Sequence, residues 1–400
     1  MGTGDFEGSM SNANFDLMMV EPSALSETQK NGKLRALPLP EGIDVAPTVR
    51  ALTPYEAVSS QAAIEATLDH ENSFKLDWNE STIDPSPKVT EAITAYLGQG
   101  RGLNWYPQLG SEELVEALED YTGVDGEHLL VTNGSDDGLH LICSTYLDQG
   151  DEVVIPVPTY NHFIVFAKSR GAKVVTLRGE TAFDSNLKGI EAAMTQQTRL
   201  LYLVSPNNPT GVVYKSEMVA GLCERYPNTL IVLDEAYFEF SQISGIELVE
   251  KYENLLVTRT FSKAFGLAGL RVGYLAGSKR LVKGLRRLYN PKSVNTLGQI
   301  GAVAALKDLE YLNAFLEEVN ASKELLREFF EERGVEAYIT PANFVVVRMP
   351  DVEVTLRELQ KRGVYVRDRS SYPGLEGCLR MTVGTREQTR RLLERIADVF

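Results

Sequence analysis

The sequence predicts an α/β fold, with a large domain built on a mostly parallel or mixed sheet between helices and a smaller α+β domain after it. Three observations predict this. From Asp151 onward, short β-branched runs alternate with longer amphipathic stretches. The apolar runs last four to seven residues, which is the length of strands buried on both faces. From about Lys279 the chain becomes mainly helical, and after Gly334 short strands return.

Each element follows from its local pattern. The strands of the large domain are predicted at DEVVIPV, AKVVTL, RLLYLVS, TLIVLDE, NLLVTRT and RVGYLAG, after an earlier one at 129–132. Helices are predicted between them at 215–226 and 243–252, and a long one at YLNAFLEEVNASKELLREFFEERG. The small domain is predicted to contain strands at VEAYIT, NFVVVRM, VYVRD and CLRMTV and helices at 354–362 and 386–400.

Composition excludes several classes of function. The 400 residues are 43% apolar and carry a net charge of −15, which disfavours binding to nucleic acid or to anionic membranes. No stretch approaches the roughly 20 apolar residues that span a bilayer, and no secretory signal is visible. The three cysteines and four histidines are scattered, so we expect no disulfide framework and no metal site. We expect a cytoplasmic enzyme.

Lys263, in the segment TRTFSKAFGLAGLR, is the most informative candidate for chemistry. A lysine in a mixed apolar and hydroxyl setting can be neutral near pH 7 and attack a carbonyl. The hydroxyls of Thr260 and Ser262 and the guanidinium of Arg271 could together hold a phosphate. A neutral amine beside a phosphate clamp indicates an aldehyde cofactor that carries a phosphate, pyridoxal 5'-phosphate (PLP). The alternative is a solvated surface lysine in a turn rich in glycine and alanine.

Polar residues also follow other predicted strands, at the edge where α/β sheets bind ligands. Gly134 and Ser135 open a helix, whose free amides form a natural phosphate site. The alternative is an ordinary helix capped by Ser135 or Asp136. Asn208, in SPNNPTG, would project a side-chain amide that can bond a phenolate oxygen, although Asn-Pro pairs are common in turns.

Three further strand-end residues complete the set. Asp234 ends an apolar strand, where a buried carboxylate needs a cation such as a protonated pyridine nitrogen. Tyr237, three residues later, could donate to the ring oxygen of such a cofactor alongside Asn208. Tyr160, in PTYNHF, could stack on a flat ring. Each residue alone has an ordinary structural explanation, but together they supply every group that PLP needs.

From about Val49 to the C-terminus, the sequence resembles the fold-type I PLP aminotransferases and most closely the histidinol-phosphate aminotransferases. The matching motifs, in the family's order, are VRALTPYEA, NWYPQLGSEEL, TNGSDDGL, PVPTY, SPNNPTG, DEAYFEF, TRTFSKAFGLAGLR, VRDRSSYPGLEG and CLRMTVGTRE. The resemblance implies a PLP-dependent transferase of fold type I with a seven-stranded type of sheet. It also implies a transaminase that moves an amino group between glutamate and an anionic keto substrate, namely the pair histidinol phosphate and imidazole acetol phosphate.

The resemblance assigns cofactor roles residue by residue. Lys263 would form a Schiff base with the cofactor and move the proton of the substrate Cα, while Asp234 would pair with the pyridine nitrogen. Asn208 and Tyr237 would bond the 3'-oxygen, and Tyr160 would stack on the ring. The phosphate would be bound by Gly134, Ser135, Asp136, Thr260, Ser262 and Arg271, and by Tyr106 reaching across the interface of a homodimer.

The resemblance also assigns substrate residues and divides the chain. The substrate would contact Tyr55, Asn79, Arg367 and Arg380, the two arginines being anion-binding residues; the alternative for the arginines is an ordinary surface ion pair. Residues 1–47 are predicted to be a flexible extension, and 48–85 an arm that contributes to the small domain and covers the substrate. Residues 86–290 would be the large PLP-binding domain, and 291–400 an interdomain helix with the small domain.

Two departures from the family pattern affect the choice of substrate. Ser81 and Thr82 replace the last pair of an N-E-N-P-like stretch, and Lys292 stands where a neutral residue is expected. Two other functions therefore stay open: a decarboxylase or β/γ-replacement lyase on the same scaffold, and a non-catalytic PLP-binding regulator. Retention of Lys263 and Asp234, and the lack of a basic DNA-binding domain, argue against the regulator.

Overall fold

The central feature of the fold is a seven-stranded sheet with helices on both faces. The computed structural model describes residues 45–50, 52, 73–100 and 102–400. The strands in these ranges are β1 Phe74–Lys75, β2 Leu129–Thr132, β3 Glu152–Pro156, β4 Lys173–Leu177, β5 Thr198–Val204, β6 Leu230–Asp234, β7 Leu255–Thr260, β8 Gly273–Gly277, β9 Ala337–Ile339, β10 Phe344–Arg348, β11 Val364–Tyr365, β12 Arg367–Asp368 and β13 Cys378–Thr382. The α-helices are Pro47–Arg50, Pro87–Gly98, Glu112–Thr122, Ser135–Tyr146, Asn161–Ser169, Leu187–Ala193, Ser216–Arg225, Phe238–Ser241, Lys279–Leu285, Thr296–Leu306, Leu309–Glu332, Val352–Lys361 and Arg386–Ile396.

The large sheet is mostly parallel. Its strand order is β2-β8-β7-β6-β5-β3-β4. Strand β8 runs antiparallel to both of its neighbours, and the pairs from β7 to β4 are all parallel. The carboxyl ends of β2, β3, β5, β6 and β7 therefore meet at one edge of the sheet. The predicted α/β class and the seven-stranded type of sheet are confirmed.

Alternate residues of the same strand pack into two separate cores. Along β5, Leu200, Tyr202 and Val204 belong to one apolar cluster, and Leu201 and Leu203 belong to the other. A strand with side chains alternating in this way is covered on both faces by helices, which explains why its sequence reads as one continuous apolar run.

A small antiparallel sheet forms the C-terminal part of the fold. Its strand order is β12-β13-β10-β9, and the small C-terminal domain expected from the sequence is confirmed. Strand β1 pairs in parallel with β11, and Thr382 N donates to Leu76 O at 2.9 Å. The segment 73–82 is thereby attached to the small domain and brought to the edge of the large sheet.

Helix ends agree with local sequence signals. Ser86 Oγ accepts from Lys88 N at 3.2 Å, and Pro87 fits the first turn of the helix that follows. Thr385 and Gln388 form a reciprocal capping box at the start of the last helix. Among the described residues, no helix has the length and apolarity needed to cross a membrane.

Two predicted helices differ from the structure. Instead of a helix at 243–252 there is a 3-10 turn at Ile246–Glu250, because the Glu235 carboxylate accepts from Ser244 Oγ at 2.8 Å and from Gly245 N at 2.6 Å. Those bonds hold the segment in a turn. The helix predicted at 386–400 ends at Ile396, where Asp398 instead accepts from Arg362 Nη2 at 2.8 Å.

Candidate active site

The candidate active site lies where the parallel strands of the large sheet end. The structure brings most of the residues predicted from sequence to this edge, together with the small-domain strands β12 and β13. Gly134 follows β2, Tyr160 follows β3, Asn208 follows β5, Asp234 ends β6, and Thr260 ends β7.

Lys263 lies three residues beyond the end of β7. Its Nζ donates to Trp78 O at 3.0 Å and lies 5.9 Å from the ring centroid of Tyr237. Burial, with the positive charge of Arg380 as the next cause, lowers the pKa of Lys263 to about 8. A substantial fraction of this amine is therefore neutral near physiological pH, as a nucleophile toward an aldehyde requires.

Asp234 is a buried carboxyl whose hydrogen-bond donors are uncharged. Tyr202 Oη donates to its Oδ2 at 2.7 Å, and Ala236 N donates to its Oδ1 at 3.2 Å. Burial raises the pKa of Asp234 to about 7 against these two bonds. A carboxyl in this state fits a ligand that brings its own positive charge, such as a protonated pyridine nitrogen.

Tyr237 and Asn79 form a buried pair beside Lys263. Asn79 Nδ2 donates to Tyr237 Oη at 3.0 Å. Asn79 has a left-handed backbone with φ of 55°, and this conformation is held by Thr382 Oγ1, which accepts from Asn79 N at 3.1 Å, and by Asn343 Nδ2, which donates to Asn79 O at 3.1 Å. Asn79, predicted to contact substrate, thus positions the Tyr237 hydroxyl.

Arg380 links the small domain to the turn after β5. Its Nη1 donates to Asn208 Oδ1 at 2.6 Å, and its Nη2 donates to Asp77 O at 2.5 Å. Burial lowers the pKa of Arg380 to about 9, with the charge of Arg369 as the next cause. The guanidinium therefore stays charged at neutral pH. Asn208, which follows β5, is therefore hydrogen-bonded to a small-domain arginine.

Arg367 and Arg380 face each other across two antiparallel strands. Like charges directly opposite each other in a sheet are destabilising. The buried Arg367 Nη1 and Arg380 Nε atoms have no hydrogen-bond partner in the described part of the chain. The pair is therefore suited to an anion that enters from outside the protein.

A candidate phosphate cradle lies at the start of the helix Ser135–Tyr146. Gly134 precedes this helix with φ of 82°, and no side chain caps its first turn, so the alternative of a helix capped by Ser135 or Asp136 does not apply. A Cβ on Gly134 would lie 2.8 Å from Arg271 Nη2. A Cβ on Gly273 would lie 2.6 Å from Ser135 N. Both positions leave the helix amides and the arginine open to an anion.

Three more of the predicted phosphate residues, Thr260, Ser262 and Arg271, lie close to this cradle. Thr260 Oγ1 donates to Ser262 Oγ at 3.0 Å and accepts from Ser262 N at 3.1 Å. Arg271 has a left-handed backbone with φ of 54°, and its Nη2 lies 3.5 Å from Asp136 Oδ2. A non-glycine residue in this conformation costs energy and is often found at ligand sites.

Tyr160 closes the site on the side of β3. Its Oη donates to Asp136 Oδ1 at 2.7 Å, and its ring lies 5.8 Å from that of His162. Burial raises the pKa of Tyr160, with the charge of Asp136 as the next cause. The phenol therefore stays protonated and holds Asp136 at the start of the helix.

One predicted residue, Tyr106, is not brought to the site within this chain. Tyr106 lies in an exposed segment and is 79% exposed, with Lys292 Nζ 4.9 Å from its ring centroid. Tyr55 lies outside the described residues.

Several residues of the site were not predicted from the sequence. Tyr202 looked like one more apolar residue of its strand, although a buried phenol must find a hydrogen-bond partner. Thr382 and Asn343 support Asn79 across more than 260 positions of sequence, and no local pattern marks such contacts. Arg369 was visible in VRDRS but was not singled out.

Comparisons with known proteins agree with this geometry. The family model described as aminotransferase class I and II matches residues 71–396. A dihydroxyacetone phosphate transaminase of Campylobacter jejuni is 34% identical over 356 residues, which are 88% of this chain and 95% of that protein. Histidinol-phosphate aminotransferase 1 of Archaeoglobus fulgidus is 38% identical over 328 residues, 82% of this chain and 99% of that protein.

A solved structure gives the same result at the level of the fold. Histidinol-phosphate aminotransferase from Sinorhizobium meliloti, in complex with pyridoxal-5'-phosphate, matches with a TM-score of 0.79 at 25% identity and covers 89% of this chain and 97% of that one. The fold expected from the resemblance is confirmed. Since the family model matches most of the chain, this protein belongs to the class I and II aminotransferases.

Proposed function

We propose that this aminotransferase exchanges an amino group between glutamate and imidazole acetol phosphate, giving histidinol phosphate. The chain is a PLP-dependent aminotransferase. The observation that supports an anionic, phosphorylated substrate is the facing pair Arg367 and Arg380, in which one buried nitrogen of each guanidinium has no hydrogen-bond partner among the described residues. Among proteins of similar sequence, several at 32–38% identity are named histidinol-phosphate aminotransferases.

The proposed roles at the cofactor follow from charge and position. PLP, when bound, supplies an electron sink that stabilises negative charge at the substrate Cα. Lys263 would bind the aldehyde through its neutral amine and afterwards move the Cα proton. Asp234 would keep the pyridine nitrogen protonated. Tyr237 and Asn208 would bond the ring oxygen, and Tyr160 would lie against the ring.

The proposed phosphate site combines helix amides with one arginine. The amides of Ser135 and Asp136 beside Gly134, the hydroxyls of Thr260 and Ser262, and the Arg271 guanidinium would bind the cofactor phosphate. The Asp136 side chain would stay turned toward Tyr160, where it accepts a hydrogen bond at 2.7 Å.

The substrate would lie between the two domains. Arg380 would bind the α-carboxylate of glutamate or the phosphate group, and Arg367 would bind the distal carboxylate. Asn79 would orient the Tyr237 hydroxyl through its hydrogen bond. Tyr55, in the arm at 48–85, would cover the substrate. We propose 86–290 as the cofactor-binding domain and 291–400 as the interdomain helix and small domain.

A homodimer is proposed from the exposed segment around Tyr106. Leu103, Trp105, Tyr106 and Leu109 are between 57% and 79% exposed, which is unusual for four large apolar side chains so close in sequence. Burial of this segment against a second copy would let Tyr106 reach the partner's cofactor phosphate. A cytoplasmic location is proposed from the three buried free thiols.

A second candidate substrate is a small phosphorylated ketone. The Campylobacter jejuni relative, 34% identical over 88% of this chain, is named for dihydroxyacetone phosphate. Both candidates carry a phosphate monoester beside a ketone, so the arginine pair does not separate them. The relatives named above are all transaminases, and the decarboxylase or replacement alternative is not favoured.

Single-turnover measurements on the holoenzyme test the proposal. Glutamate alone should convert the bound cofactor to its amine form, and imidazole acetol phosphate should restore the starting absorbance faster than dihydroxyacetone phosphate does. Faster return with dihydroxyacetone phosphate would favour the second candidate, and failure of glutamate to react would contradict the proposed donor. In Lys263→Ala the absorbance of the covalently bound cofactor should be lost; an unchanged spectrum would remove Lys263 from its role.

A further inference from the structure

Arg369 extends the facing arginine pair by one more charge. Its backbone N donates to Cys378 O at 2.9 Å, which continues the pairing of Arg367 with Arg380 beyond the end of β12. Side chains alternate between the two faces of a strand, so Arg367 and Arg369 leave the same face. Arg380 lies on that face as well, because directly opposite residues share a side of the sheet.

The charge of Arg369 affects the pKa of two residues of the site, Arg380 and Tyr237. After burial, its charge is the largest cause that lowers the pKa of Arg380, ahead of the charge of Arg367. It also acts to lower the pKa of Tyr237, against the larger opposite effect of burial. Arg369 is therefore close to the bound substrate's expected position, although neither the cofactor nor glutamate requires a third arginine there.

The loop that carries Arg369 is docked on the large domain. The Arg369 guanidinium lies 5.4 Å from the ring centroid of Tyr372, and Tyr372 Oη accepts from Asn161 Nδ2 at 2.8 Å. Asn161 is the first residue of the helix that follows Tyr160. The loop that carries Arg369 thus contacts the large domain at the residue that follows Tyr160 in sequence.

We propose that Arg369 is a specificity-determining residue that joins Arg367 and Arg380 in binding the phosphate group of the substrate. A carboxylate carries one charge and two oxygens, which one guanidinium can match. A phosphate monoester carries nearly two charges and three terminal oxygens. Three guanidinium groups on one face match the phosphate better than the carboxylate, so Arg369 raises the preference of the site for phosphorylated ketones relative to keto acids. This inference rests on the proposed function, since it concerns the same substrate site.

The test compares substrates within each variant of the holoenzyme. In Arg369→Gln, the ratio of kcat/KM for imidazole acetol phosphate to kcat/KM for 2-oxoglutarate should fall roughly 10- to 100-fold, the usual effect of losing a charge-assisted hydrogen bond. Arg369→Lys should recover part of the ratio, because it keeps the charge and loses the planar fork. An equal loss for both substrates would overturn the proposal, since a disturbed loop lowers both alike.

A matched control separates charge from loop position. Tyr372→Phe removes the bond to Asn161 and keeps both the ring and Arg369. It should leave the ratio within about threefold of wild type; a fall as large as that of Arg369→Gln would show that docking of the loop, and not the arginine, sets the preference.

Binding without turnover distinguishes this inference from the proposed function. Methyl phosphate and acetate are titrated against the holoenzyme and followed by the absorbance of the bound cofactor. In Arg369→Gln the Kd of methyl phosphate should rise roughly 10-fold or more while that of acetate changes less. If wild type fails to aminate imidazole acetol phosphate, the proposed function fails, yet this binding difference would still support the arginine. Equal weakening of both anions would contradict it.

Discussion

Two neighbouring carboxyls at the end of β6 lie on opposite faces of the sheet and have opposite environments. Glu235 is buried and fully bonded: Arg259 Nε donates to it at 2.9 Å, and Ser244 Oγ and Gly245 N donate as well. Asp234 is equally buried, but its donors are a phenol and one backbone amide. Glu235 is thus paired with the guanidinium of Arg259, whereas the hydrogen-bond donors of Asp234 are uncharged.

The two faces of the sheet at this point therefore have different roles. A buried carboxylate with its cation is a permanent part of the interior, and Arg259 is held there further by the ring of Phe238, 3.6 Å from its Cζ. A buried carboxyl without a cation costs stability until a positive group arrives. At Asp234 the protein is therefore less stable alone than with a ligand that carries a positive charge, and the same loss of stability becomes binding free energy for the cofactor.

The largest expected effect on stability comes from breaking the buried ion pair of Arg259 and Glu235. Arg259→Met leaves Glu235 buried without a cation, so the free energy of unfolding should fall by about 3–5 kcal/mol. Denaturant unfolding of the apo protein measures it. The control is Arg280→Met, which removes an exposed arginine 3.4 Å from Glu253 and should cost less than about 1 kcal/mol. Equal effects of the two variants would contradict the contrast.

The second largest expected effect on stability comes from removing the carboxyl of Asp234, which has no cation beside it. Asp234→Asn should raise the free energy of unfolding of the apo protein at pH 8 by roughly 2–4 kcal/mol, because three pKa units correspond to about 4 kcal/mol. The same variant should bind PLP at least about 100-fold more weakly, since the pyridinium loses its partner. Opposite signs for stability and binding are the expected result. Glu235→Gln, by contrast, should lower stability in both forms.

The pH dependence of this effect has a definite sign. The pKa of Asp234 is about 7 in the folded protein and about 3.9 in an unfolded chain, so between pH 4 and 7 the folded state binds more protons. The free energy of unfolding of apo wild type should therefore fall as the pH rises through this window, relative to Asp234→Asn. Parallel stability curves for the two proteins from pH 4 to 8 would show that Asp234 does not titrate there.

The polar residues on the two faces of the large sheet also differ in how well they can be predicted from the sequence. The strands follow from their apolar runs, and Asp234, Asn208, Tyr160 and Lys263 stand out because each interrupts or follows such a run. The partners of Glu235 do not stand out, because Arg259 sits inside a strand and Ser244 looks like part of a helix. The wrong helix at 243–252 has this same cause, since its residues bond to a carboxylate and not to each other.

Contacts between segments that are distant in sequence also limit what can be predicted about the site. Asn79 is recognisable from its motif, but its bonds to Tyr237, Thr382 and Asn343 join it to three other parts of the chain. The arginine pair is a matter of register: nothing in VRDRS or CLRMTV says that Arg367 lies opposite Arg380. Residue types at strand ends can thus be predicted, while their partners depend on how strands and domains meet.

The smallest expected effect is at the hydroxyl that partly compensates Asp234. Tyr202→Phe removes the 2.7 Å bond to Asp234 Oδ2 and keeps the ring stacked on Phe163. The bond lowers the pKa of Asp234, so its loss should raise that pKa further and destabilise the apo protein at pH 8 by about 1–2 kcal/mol. The destabilisation should shrink at pH 5, where the carboxyl is protonated in either protein. A loss independent of pH would mean that the phenol only packs.

The most direct test is to titrate the Asp234 carboxyl with and without the cofactor. Isotope-edited infrared spectra of protein with labelled aspartate, assigned by difference from Asp234→Asn, report its protonation. In the apo protein the carboxyl should titrate with a pKa near the value of about 7 that burial gives it. With PLP bound it should stay ionised down to at least about pH 5, because the pyridinium supplies the missing cation. An apo carboxyl that titrates near pH 4, or one unaffected by the cofactor, would contradict the account.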